Sequence, residues 1–248
     1  MTYDTKDNEK ELIIPAINGV KAILEASAKA KISRVVLTSS FASVMNVDRK
    51  APPYFTYTGE DWNPLTYEEA AAPNTPAHIA YRGAKKFAEK AAWDFVREQK
   101  PSFDLVTLCP SMTFGPVVHP VAGVDALNES NAMLWKVAGG QPLPTARVPF
   151  WINVRDLAAA HVEALLRPDA GGKRFIPGPS ERFSYDLAAS IIEDHFDWAK
   201  GRVQRVEQDI DESHGMDGNT TARELGLKYT SFRDTVVDLV SQIHSWQK

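Results

Sequence analysis

Tyr81 and Lys85 lie four residues apart in the run Ala80-Tyr81-Arg82-Gly83-Ala84-Lys85-Lys86. On a helix that spacing places both side chains on one face, one turn apart. An ammonium beside a phenol favours the phenolate and draws the tyrosine pKa from about 10 toward working pH. A tyrosine tuned in this way can give a proton to a carbonyl oxygen and take it back. A Tyr-x-x-x-Lys pair by itself equally describes a solvated helix face. Thr38-Ser39-Ser40, closing an apolar run upstream, supplies hydroxyls that could join such a site.

The elements that must position these residues can be read from periodicity. Pro76 to Gln99 reads as the helix that carries Tyr81 and Lys85, and Glu9 to Lys31 as an earlier helix with Pro15 near its start. Arg34 to Ser40 and Phe103 to Pro110 read as short buried strands, each ending where polar or turn residues begin. Asn46 to Asn74, with four prolines, reads as a long loop. Beyond it the pattern predicts a helix over Asn128 to Ala138, a strand over Val148 to Val154, a helix over Arg155 to Arg167 and a strand over Arg174 to Pro177. Helices follow over Ser184 to His195, with Ser184 as its cap, and Ser231 to Trp246. Gly171-Gly172 and Gly215 to Gly218 read as turns. Strands alternating with helices imply an α/β fold with a parallel sheet.

Composition narrows the function. The chain has 248 residues, 44% hydrophobic, enough for a substantial core. Its net charge of −4, with both signs well mixed, argues against nucleic acid as a partner. A single cysteine, Cys109, excludes an internal disulfide; its apolar setting marks a small core residue rather than a nucleophile. No apolar run approaches the ~20 residues needed to span a bilayer. The polar, acidic start resembles no targeting peptide, so the expected location is cytoplasmic. The histidines show no metal-ligand spacing, and no metal is expected.

Five stretches together resemble the extended short-chain dehydrogenase/reductases, and within them the dihydroflavonol-reductase-like, NADPH-dependent aldehyde and methylglyoxal reductases. They are Pro15 to Val20, Val35 to Ser40, Asp61-Trp62-Asn63-Pro64, Tyr81 to Trp93 and Trp151 to His161; Thr220 to Tyr229 is typical of the family's C-terminal lobe. The resemblance implies a Rossmann-like α/β fold with a small substrate lobe, in one epimerase/dehydratase-type domain over residues 1–248. Roughly 1–116 and 148–166 would form the Rossmann part, and 117–147 and 167–248 the lobe. The family opens with a strand, a Gly-x-x-Gly-x-x-Gly turn and a helix whose N-terminus holds a pyrophosphate. No such turn occurs in these 248 residues. The alignment therefore leads one to expect a Rossmann part without its first βα units, and an unpaired edge on the strand at Arg34.

The resemblance also implies roles. Tyr81 would be the general acid in reduction, and Lys85 would lower its pKa and hold the nicotinamide ribose. Ser40 would polarise the substrate carbonyl. Tyr81 and Lys85, with Pro110, Ser111, Thr113 and Ser130, would contact the cofactor, NADP with NAD possible; Ser130 equally reads as a helix cap or surface serine. Phe41, Met112 and Phe150 are candidates for an apolar substrate wall or for the core, and Trp62 for a packing anchor. The function implied is reduction of small aldehydes or ketones. A truncated, inactive homologue serving as a dimerisation or regulatory partner is the alternative. A homodimer would form through helices 9–31 and 76–99.

Overall fold

The computed structural model describes residues 5–47, 49, 54–146 and 148–247. Seven strands lie among them: β1 (Arg34–Thr38), β2 (Phe55–Tyr57), β3 (Asp104–Leu108), β4 (Met112–Phe114), β5 (Trp151–Asn153), β6 (Arg174–Phe175) and β7 (His214–Met216). The α-helices are α1 (Ile14–Lys29), α2 (Tyr67–Ala71), α3 (Ala77–Gln99), α4 (Glu129–Ala138), α5 (Val154–Leu166), α6 (Tyr185–His195), α7 (Gly218–Leu225) and α8 (Phe232–Ser245). A π-helical turn, Glu9–Ile13, runs directly into α1. Pro15 explains it: without an N–H, proline cannot complete the regular ladder one turn back, and the backbone widens there instead.

The main sheet has the order β1-β3-β6, all parallel. Alternation along the strands sends side chains to opposite faces. Val35, Leu37 and Leu105 meet α1 and α3 through Val20, Leu24 and Ala92. Val36, Val106 and Leu108 meet α5 and α7 through Ala160, Ala164 and Leu225. β6, which falls in the stretch assigned above to the smaller lobe, is the outer strand of this sheet. Among the described residues β1 pairs with β3 alone; Arg34 to Leu37 are half-buried and Thr38 is exposed, so this is an edge strand and not the buried one its apolar run suggested.

Two smaller parallel pairs complete the strand set, β2 with β7 and β4 with β5. β4 and β5 feed the largest core cluster. There Phe114 and Trp151 pack with Phe183, Tyr185 and Phe232 from the segments around α6 and α8, the rings meeting edge to face or tilted at 4.9–6.1 Å.

The structure corrects the sequence reading at two places. The stretch from Asn46 to Asn74 holds β2 and α2. The latter starts with a capping box in which Thr66 Oγ1 accepts from Glu69 N and the Glu69 carboxylate accepts from Thr66 N. The stretch from Gly215 to Gly218 is not a turn: Met216 ends β7, Asp217 caps α7 and Gly218 opens it. β2 and β7 escape a sequence reading because their three residue pairs join segments far apart in the chain, where no local periodicity shows; α2 has a local signal in its Thr66-x-x-Glu69 box.

Gly83 lies between Tyr81 and Lys85 and brings α3 hard against α2; a Cβ there would collide with the Cβ of Ala70. Gly83→Ala should therefore lower stability by about 1–3 kcal/mol through overpacking, despite the ~1 kcal/mol that alanine gains in a helix. Urea denaturation reads the difference, and a more stable variant would refute the contact.

Candidate active site

The chain reverses at the C-terminal ends of β1 and β3, and backbone bonds lock the two ends together. Ser39 N donates to Leu108 O at 2.7 Å and Phe41 N to Pro110 O at 2.8 Å. Ser40, extended at φ −161° and ψ 148°, caps a short 3-10 turn, Phe41–Ser43, its Oγ accepting from Ala42 N at 3.1 Å. These ties hold the Ser40 hydroxyl beside Pro110, at the strand ends where open α/β sheets bind ligands.

α3 passes alongside and presents Tyr81. The Ser40 hydroxyl is among the groups bearing on the Tyr81 phenol. Both line a cavity of about 350 Å³, together with Pro110, Ser111, Thr113 and Ser130. Its apolar walls come from Phe41, Met45, Met112, Met133 and Phe183, and Glu129 and His78 also line it. Six of the seven residues named from sequence thus share one hollow. Lys85 sits one turn along α3, outside the cavity lining, with Nζ donating to Thr38 O at 3.4 Å.

The polar groups of the hollow are unequally engaged. Ser130 is buried, and its Oγ donates to Thr113 O at 2.5 Å and accepts from Asn128 Nδ2 at 2.7 Å, which ties α4 to β4. Thr113 Oγ1 donates to Ser111 O at 3.3 Å. Ser111 Oγ is buried and has no hydrogen-bond partner among the described residues. An orphaned buried hydroxyl is costly, by about 1–3 kcal/mol, and is the kind of group a bound ligand satisfies.

Electrostatics depart from the expectation that Lys85 lowers the tyrosine. Burial pushes the Tyr81 phenol above its ordinary value. Ser40 and Arg82 pull it back and Glu129 adds to the rise, yet the net direction is up. Burial likewise draws Lys85 below the usual lysine value, offset in part by negative charge nearby that includes Glu89. Lys85 is not among the groups bearing on the phenol, and desolvation rather than the pairing that spacing suggested sets the direction of both shifts.

Of the apolar candidates, Phe41 and Met112 line the cavity. Phe150 instead packs edge-on against Phe41 at 5.4 Å, in a core cluster with Tyr57 and Ile176. Trp62 is a packing anchor: the Arg174 guanidinium lies 3.8 Å over its ring. Met45, Met133 and Phe183 were not anticipated as walls. Nor was Glu89, a carboxylate only 1% exposed beneath the site.

The chain is similar to the NADPH-dependent methylglyoxal reductase GRE2 of Saccharomyces cerevisiae, 33% identical over 253 residues, which cover 97% of this chain and 73% of the relative. The structure of that yeast methylglyoxal/isovaleraldehyde reductase complexed with NADPH superposes with a TM-score of 0.86 at 32% identity, covering 99% of this chain and 74% of the other. Gre2 of Candida albicans in complex with NADPH gives 0.88 at 31% identity, covering all of this chain and 75% of the other. The chain belongs to the Gre2-like reductases of the extended short-chain dehydrogenase/reductase family. No family model matches it. Among the described residues no helix is long and apolar enough to cross a membrane.

The one thiol of the chain belongs to the core. Cys109 is fully buried, and burial foremost pushes its pKa up to about 12. Thiol-reactive dye at pH 8 should label the native chain at least ~100-fold more slowly than the urea-unfolded chain. Equal rates would contradict the burial of this strand end.

Proposed function

We propose that the chain is an NADPH-dependent reductase of small aldehydes and ketones, in which Tyr81 protonates the carbonyl oxygen, Ser40 binds it and Lys85 steadies the cofactor. The observation that carries this reading is that Ser40 and Tyr81 line one hollow with apolar walls, at the ends of β1 and β3. The bound nicotinamide would supply the hydride; the protein's own part is to orient, desolvate and move a proton.

The residues present fit the nicotinamide end of the cofactor. Ser111 offers a buried, unengaged hydroxyl at the β3 end, and Pro110 and Thr113 flank it. Lys85 Nζ, which among the described residues makes only the long bond to Thr38 O at the end of β1, would donate to a ribose hydroxyl. The Ser130 hydroxyl is already committed to Thr113 O, so its part would be to shape the pocket. These 248 residues carry no glycine-rich turn to receive a pyrophosphate. NADP is preferred over NAD because the similar structures contain NADPH.

A phenol with a raised pKa stays protonated at neutral pH, which suits an acid in the reduction direction. Ser40, lining the same hollow, can donate to the developing oxyanion, a contact worth roughly 3 kcal/mol where it has been removed elsewhere. The apolar walls favour a short aliphatic substrate over a charged one. We further read residues 1–116 with 148–166, completed by β6 of the main sheet, as the cofactor-binding part, and 117–147 with the rest of 167–248 as the substrate lobe. Helices α1 and α3, which pack together along their length, are read as the surface of a homodimer, and the location as cytoplasmic.

Purified chain should oxidise NADPH in the presence of methylglyoxal or isovaleraldehyde. Tyr81→Phe should remove at least ~100-fold of that rate and Ser40→Ala a similar factor. Undiminished turnover by Tyr81→Phe would refute the assignment.

A further inference from the structure

Glu89 lies one turn beyond Lys85 and two beyond Tyr81 on the same face of α3, and its carboxylate is buried. Seven donor atoms converge on it, among them Cys109 Sγ, 3.6 Å from Oε1 and 3.5 Å from Oε2. Ser39 Oγ donates at 2.5 Å and Ser43 Oγ at 2.7 Å to Oε2. Thr107 Oγ1 donates at 2.8 Å and Trp93 Nε1 at 3.5 Å to Oε1. Arg174, itself buried, closes a two-pronged pair with Nε at 2.8 Å from Oε1 and Nη2 at 3.2 Å from Oε2. Arg174 Nη1 also donates to Gly59 O at 3.0 Å and to Asp61 O.

Ser39 and Ser43 bracket Ser40. Ser43 Oγ also lies 2.7 Å from Ser40 O, within the same short turn. The two residues that fix the backbone on either side of Ser40 are thus held by a carboxylate on the helix that carries Tyr81. A buried ion pair is a poor device for stability alone, since apolar groups of like volume often do as well or better. What it supplies is direction: each donor must sit at one place on the carboxylate.

We propose that Glu89, paired with Arg174, is a positioning residue for the reduction: through Ser39 and Ser43 it holds the Ser40 hydroxyl opposite Tyr81. The inference rests on the reductase reading of this site. Glu89 and Arg174 touch neither the cavity nor a reacting atom, so their effect is transmitted by backbone placement. A displacement of about 1 Å in such a site can cost 100-fold in rate.

The test uses Ser39→Ala, which deletes one tether without leaving a charge unpaired, and Glu89→Gln, which keeps shape but weakens all of them. Two readouts are taken on the full chain. One is the Tyr81 titration followed by 13Cζ-tyrosine NMR without cofactor, the resonance assigned with Tyr81→Phe. Ser40, Arg82 and Glu129 are the groups bearing on that phenol, so a loosened Ser40 should move the titration upward. The other is the split between kcat and KM for NADPH-dependent reduction of isovaleraldehyde. Ser39→Ala should lower kcat about 10-fold and Glu89→Gln about 100-fold, with KM changed less than about two-fold.

Folded variants that titrate Tyr81 and turn over like the parent chain, whatever their melting temperature, would overturn the inference. If Glu89→Gln does not fold, Ser39→Ala decides. If the parent chain shows no reductase activity, the reductase reading fails by itself, while the Tyr81 titration still tells whether Ser39 and Glu89 place Ser40.

Discussion

One buried carboxylate holds the centre of this fold. Burial alone would push the Glu89 carboxyl up, but the Arg174 guanidinium and the hydroxyls of Ser39 and Ser43 outweigh it and keep the group charged. Through Glu89 the long helix α3 is joined to the end of β1, to Thr107 in β3 and to Arg174 in β6. Arg174 carries the connection on to the backbone at Gly59 and Asp61 and stacks on Trp62. The main sheet, the helix lying on it and the loop after β2 thereby share one polar node. Removing Glu89 would leave the Arg174 guanidinium without its buried counter-charge, and removing Arg174 would leave the carboxylate without its own, which makes the node cooperative.

The site inherits its geometry from that node. Ser40 and Tyr81 belong to elements far apart in the chain, and bringing both to one hollow needs the zipped ends of β1 and β3 and the lie of α3. The close approach of Gly83 to Ala70 sets that lie from one side, and the Glu89 cluster from beneath. The opposite wall comes from residues after β3 and from α4, tied together by Ser130 and Thr113. The large aromatic cluster around Trp151 and Phe232 supports this wall. The polar floor of the hollow and its apolar walls are thus carried by different cores.

Much of this was legible in the sequence where the signal is local. Helical spacing placed Tyr81 and Lys85 on one face, and the apolar runs placed Ser40 and Pro110 at strand ends. Cys109 reads as core because its neighbours are core. Long-range pairing was not legible: β2 and β7 are three residues each and define each other across the chain. The buried state of Glu89 was hidden as well, because Phe87-Ala88-Glu89-Lys90 looks like any amphipathic turn. Only the hydroxyls of Ser39, Ser43 and Thr107 and the guanidinium of Arg174, all brought from elsewhere, permit that burial. For the same reason the Tyr81 pKa moved the other way: spacing shows a nearby lysine, but not how much water both groups lose.

The most direct test of the node is a double-mutant cycle on Glu89 and Arg174, measured by urea unfolding of the parent chain, Glu89→Gln, Arg174→Met and the double variant. If the pair is coupled as described, each single change costs about 3–5 kcal/mol and the double change far less than their sum, because neither charge is then left alone in the core. Additivity within about 0.5 kcal/mol would mean that the two side chains act independently, and the account of what holds this site together would be wrong.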